Sequence, residues 1–134
     1  MVPMKIRALE LRLLDGRYAV SKLDRSSPLL PDWAFNDQFL SITLTSDELS
    51  IVSCENAVPA QVRTEKGWRC IKVAGPLDFS LTGILASLLN PLAEKGISVF
   101  AVSTYDTDYL LVKEENLANA VDALTESGHR FLAG

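Results

Sequence analysis

Residues 68–112 read WRCIKVAGPLDFSLTGILASLLNPLAEKGISVFAVSTYDTDYLLV. Trp68 to Val73 is a strand pattern, and Gly75 to Ser80 is a turn with helix-start chemistry. Asp78 or Ser80 can accept hydrogen bonds from the free N–H groups of a first helical turn. Leu81, Ile84, Leu85, Leu88 and Leu92 then recur at helical spacing. Pro91 lacks an N–H and crowds the Ser87 carbonyl, so a kink or break is expected there, and Gly96 reads as the helix stop. Ile97 to Ser103 is apolar on both faces, the pattern of a central or doubly covered strand. Thr104 to Asp108 is a polar turn, and Tyr109 to Val112 is the next strand.

Downstream, Glu114 to Ser127 predicts a second helix. Acidic residues at its start suit the helix dipole, and Leu117, Ala120, Val121 and Leu124 form its apolar stripe. Gly128 ends it, and Arg130 to Leu132 can add a short strand. The order β-α-β-β-α, with room for a sixth strand, is the split βαβ pattern of an α+β, ferredoxin-like fold with helices on one face of the sheet.

Upstream, Leu9, Leu11 and Leu13 alternate with Glu10 and Arg12 as in a half-buried strand, and Asp15-Gly16 is a hairpin turn signal leading into a return strand, Arg17 to Lys22. Asp24 to Gln38 reads as a Pro-broken loop with one helical turn at Asp32 to Asn36, and with Trp33 and Phe35 tucked against the sheet. Phe39 to Thr45 and Leu49 to Ser53 are strands, and Glu55 to Lys66 is a connector. The first half, residues 1–65, is therefore mostly β, and residues 66–134 carry the βαββα half. No linker is long enough to separate two independent domains.

Hydrophobic residues make up 48% of the 134 and charged residues 22%, which describes a globular chain with a core. A net charge of -4 disfavours phosphate backbones, so nucleic acid is not an expected partner. No stretch approaches the length of a membrane span, and the first twelve residues lack the apolar block of a signal peptide, so a cytoplasmic location is expected. Cys54 and Cys70 fit no zinc or redox spacing and read as small reduced hydrophobes. His129 is the only histidine, which excludes a His-based metal site within one chain. No motif of a hydrolase, nucleotide-binding loop or metalloprotease is present, so no enzymatic activity and no cofactor are expected.

Two segments carry candidate chemistry. Gly75 to Gly83 leads into a helix, whose free N–H groups and partial positive charge suit a carboxylate. Equally, Gly75-Pro76 reads as a plain turn and Gly83 as a packing position. Ser103 to Tyr109 is dense in acceptors and suits an ammonium or guanidinium group through Asp106 and Asp108. It also reads as a solvated hairpin loop. Together the two offer the polarity that holds a zwitterionic amino acid.

The run Gly75 to Ile84, followed by Ile97 to Val112 with STYDTD at 103–108, resembles the bacterial ACT-domain proteins related to the CASTOR amino-acid sensors. The run Leu40 to Val52 is similar to the first half of that family. The resemblance implies a ferredoxin-like ACT fold with two ACT-like halves, the first lacking regular helices. It implies a regulatory, non-catalytic protein that binds a free amino acid or similar small zwitterion at seams between units. It further implies a homodimer and a regulated protein partner. The ligand contacts it carries over are Leu77, Asp78, Phe79, Thr82, Gly83 and Ile84 before the first helix, and Thr104, Tyr105, Asp106 and Asp108 at the strand end. Leu81 stands where the arginine sensors have an acidic residue, so arginine itself is not implied. The competing reading is a protein-interaction module that pairs through its sheet edge without a metabolite.

Overall fold

A computed structural model describes residues 8–36, 38–77 and 82–133. Its strands are β1 (Glu10–Leu13), β2 (Tyr18–Leu23), β3 (Ser41–Leu44), β4 (Leu49–Cys54), β5 (Arg63–Val73), β6 (Phe100–Ser103), β7 (Asp108–Lys113) and β8 (Arg130–Phe131). Its helices are α1 (Ile84–Glu94) and α2 (Leu117–Glu126). Contacts divide the chain into two units, Met1–Leu14 with Cys70–Gly134, and Asp15–Arg69. The boundary expected between residues 65 and 66 falls inside β5, which contributes to both units.

In the unit that holds the helices, the strand order is β6-β7-β5-β1-β8. A split βαβ unit alone would set β5 beside β8. Here β1 lies between them, antiparallel to β5 (Leu11↔Val73, Leu13↔Ile71) and parallel to β8 (Leu11↔Phe131). This pairing groups residues near the N-terminus with the second half, and nothing local in the sequence signals it. Leu88 and Leu92 of α1 and Ala120, Ala123 and Leu124 of α2 pack with Leu11, Ile71, Val73, Leu110 and Val112 in one core. Each leucine buried there stabilises the fold by about 1.5–3 kcal/mol.

Three expectations for this unit need correction. The first helix starts at Ile84, with Gly83 as its N-cap at φ 74° and no side-chain cap hydrogen bond. Asp78 and Ser80, the expected caps, lie outside the described residues. Of the kink or break expected at Pro91, a break does not occur, because Pro91 sits inside α1. Finally, β6 is short and among the described residues pairs only with β7, which makes it an edge strand there with Ala101 and Ser103 exposed, whatever its apolar composition suggests. Both helices end in glycine turns. Gly96 (φ 71°) donates to Ala93 while Ile97 donates to Leu92, and Gly128 (φ 100°) donates to Thr125 while His129 donates to Leu124.

The other unit has strand order β3-β4-β2-β5, all antiparallel. It contains two single 3-10 turns, Asp32–Ala34 and Glu55–Ala57, and no α-helix among the described residues. Ala34, Leu49 and Ile51 form its core cluster, with Trp33, Leu40 and Ile42 packed on it. Phe35, expected against the sheet, is 69% exposed. Phe39 takes that place, edge-on to buried Tyr18 with centroids 5.9 Å apart. Asn36 pins it, accepting from the Phe39 amide at 2.9 Å and donating to its carbonyl at 2.8 Å.

Asp15-Gly16 does not close a hairpin. β1 pairs with β5 and β8, whereas β2 pairs with β4 and β5. Gly16 has φ 81°, but no described non-glycine residue has positive φ, so Asp15 does not adopt the two-residue hairpin geometry. The supposed connector ends early, because β5 already begins at Arg63. Gly67, at φ 84°, sits where the β2–β5 register shifts, with Tyr18↔Trp68 followed by Val20↔Glu65. A bulge glycine inside a strand thus looks like a strand boundary in the sequence.

Candidate functional site

The strand β5 ends at Val73, and the chain turns through Gly75 and Pro76 toward α1. Beside it runs the turn between β6 and β7. Thr104 closes that turn, its amide donating to the Thr107 carbonyl at 2.8 Å and its hydroxyl accepting the Thr107 amide at 3.3 Å. These are the local bonds expected of a Thr- and Asp-rich turn.

The two segments touch within one chain. The Leu77 amide donates to the Asp106 carbonyl at 2.7 Å. The Thr107 hydroxyl, buried, donates to the Val73 carbonyl at 2.7 Å. A Cβ on Gly75 would lie 3.0 Å from Thr107 Cβ and 3.2 Å from the Asp106 oxygen, so only glycine fits without displacement. Gly75 and Thr107 thus seat one segment on the other. Sequence reading singled out neither for this role; the available signals were a glycine directly after a strand and an uncharged residue between two aspartates.

Leu77 is half-buried, and Thr104, Tyr105 and Asp106 are exposed, Tyr105 at 79%. The Asp106 carboxylate makes no hydrogen bond among the described residues. Asp108 opens β7 opposite Ser103, whose hydroxyl donates to Asp108 Oδ1 at 2.5 Å. That contact orients the carboxylate, and its second oxygen takes no hydrogen bond from a described residue. At the other end of the linking segment, Thr82 and Gly83 are exposed and Ile84 is half-buried. Gly83 supplies no side-chain cap, so among the described residues no side chain caps the first turn of α1, whose N–H groups and dipole suit an external acceptor. Asp78 and Phe79 lie outside the described residues. Nearby, Lys72 Nζ stands 5.9 Å from the centre of the Tyr109 ring.

Among the described residues there is no group of three or more His, Cys, Asp or Glu that could hold a metal ion. No described helix is long and apolar enough to cross a membrane. Burial pushes the Cys70 thiol up to about 12, which keeps it protonated.

A family model described as an ACT domain matches residues 63–126, and a model of an N-terminal domain matches 16–61. A crystal structure of a protein from Agrobacterium tumefaciens superposes with a TM-score of 0.89 at 42% identity, covering 95% of this chain and 94% of that one. The regulatory subunit of aspartate kinase from Thermus thermophilus shares the fold, with a TM-score of 0.63 at 11% identity over 91% of this chain and 99% of that one. Residues 63–126 belong to the ACT-domain family, and the chain's α+β, ferredoxin-like fold has two ACT-like halves. Within that family it is similar to the human cytosolic arginine sensor for mTORC1 subunit 1, at 36% identity over 58 residues. The match covers 42% of this chain and 18% of the sensor, so the chain spans less than a fifth of that relative's length.

Proposed function

We propose that this chain is a regulatory protein that binds a free amino acid or similar small zwitterion and catalyses no reaction itself. The ligand carboxylate meets the N–H groups at the start of α1, around Thr82, Gly83 and Ile84. The ligand ammonium meets Asp106 or the second oxygen of Asp108, with Leu77, Asp78, Phe79, Thr104 and Tyr105 completing the surround. The observation that carries this reading is the bond from the Leu77 amide to the Asp106 carbonyl at 2.7 Å, which joins the donor-bearing and acceptor-bearing segments.

The similarity to a cytosolic amino-acid sensor supports the ligand class and a cytoplasmic location. A homodimer and a regulated protein partner belong to the same proposal. In keeping with a non-catalytic role, both ring nitrogens of the single histidine bond backbone groups. Calorimetric titration against the twenty amino acids tests the reading: one or a few should bind, and no heat for any of them overturns it.

A second reading rests on β6, which among the described residues has a ladder partner on one side only. Pairing of that edge with another protein, without a metabolite, would give a co-purifying partner and no thermal shift with amino acids.

A further inference from the structure

We propose that His129 is a positioning residue for the ligand site, holding the opening turns of α1 through the backbone of Ser87. This rests on the ligand reading above.

Pro91 is the residue whose N–H would meet the Ser87 carbonyl in a regular helix, and proline has none. His129 supplies the missing donor: its Nε2 lies 3.1 Å from the Ser87 carbonyl. Its Nδ1 lies 3.1 Å from the Leu9 amide nitrogen. An amide can only donate and a carbonyl can only accept, so the ring is the neutral tautomer with its proton on Nε2. The ring is 5% exposed, which leaves bulk water no ready access to replace either bond. The Gly128 turn at the end of α2 delivers the ring to this position.

Ser87 carries the restraint toward the site. Its amide donates to the Gly83 carbonyl at 2.9 Å, and its hydroxyl donates to the Ile84 carbonyl at 2.7 Å. Gly83 and Ile84 are the residues that open α1 and that would face the ligand carboxylate. A single serine thus links the histidine to both, and the Leu9 amide fixes the ring from the opposite side.

His129→Gln and His129→Asn separate the two arms. A glutamine amide reaches the place of Nε2 and keeps the donor to Ser87; an asparagine oxygen takes the place of Nδ1 and keeps the acceptor for Leu9. Tm and Kd are measured for both, using an amino acid that binds the wild type. The expected result is a similar fall in Tm for the two variants, a Kd near wild type for His129→Gln, and a Kd weaker by about fivefold, the size of one hydrogen bond, for His129→Asn. Adding Pro91→Ala to His129→Asn restores an N–H opposite Ser87 and should recover the affinity. Equal Kd changes in the two variants, or no recovery with Pro91→Ala, overturn the proposal. If the wild type binds no amino acid, the ligand reading fails, and amide exchange still tests the restraint. Ser87 and Leu88 should exchange faster in His129→Asn than in His129→Gln, and equal rates overturn it.

Discussion

The Thr107 hydroxyl donates to the Val73 carbonyl at 2.7 Å, from a side chain 5% exposed, and so ties the β6–β7 turn to the end of β5. Thr107→Val keeps the shape and removes the donor, leaving that carbonyl without its partner. A loss of about 1–3 kcal/mol is expected in urea unfolding. Thr107→Ser keeps the hydroxyl and should stay closer to wild type. Unchanged stability in Thr107→Val would show that the tie contributes nothing.

Gly75→Ala brings a methyl group to 3.0 Å from Thr107 Cβ and 3.2 Å from the Asp106 oxygen. Neither neighbour yields freely: the first is held by Val73 and the second accepts from Leu77. The variant should lose about 1–3 kcal/mol through overpacking, seen as a lower Tm. An equal or higher Tm would mean that the two segments separate without cost.

How much of this was legible beforehand differs between the two units. Around α1 and α2, apolar spacing and glycine stops located every element within a few residues, because those helices bury one face and end in local glycine turns. In the β-rich unit, local turn chemistry misled: Asp15-Gly16 suggests a hairpin, yet β1 and β2 pair with different strands, and Gly67 suggests a boundary where β5 carries a bulge. Pairing between strands far apart in sequence leaves no short-range mark. The two candidate segments could be named from residue type alone. Their junction could not, since it depends on a backbone bond from Leu77 and a hydroxyl on Thr107 that points at a carbonyl 34 residues away.

Burial raises the Cys70 thiol to about 12, whereas its unfolded value is about 8.5. The folded state therefore binds this proton more tightly than the unfolded state. The resulting stability is fully present below about pH 8.5. It falls as pH rises toward about 12. A thiol reagent at neutral pH should label the half-buried Cys54 first, and Cys70 only on unfolding. Rapid labelling of Cys70 in the native protein, read by peptide mass, would contradict its burial.

Asp108→Asn keeps an oxygen for the Ser103 hydroxyl and removes the charge. Because the Ser103–Asp108 pair is exposed, stability should change by less than about 0.5 kcal/mol. Affinity for a zwitterionic ligand should fall several-fold, by roughly 3–10 times, through loss of a charge-assisted contact. Unchanged affinity in a folded Asp108→Asn would remove Asp108 from recognition and leave Asp106 as the cation partner.

The proposed function rests on a short seam where the Leu77 amide meets the Asp106 carbonyl. Titration of the wild-type protein with each free amino acid in a calorimeter, repeated with Asp106→Ala, probes that seam. Saturable heat with one amino acid or a small set, weakened in Asp106→Ala, is the expected result. Silence across the whole panel, or wild-type affinity in both Asp106→Ala and Asp108→Asn, would mean that the seam is not a ligand site.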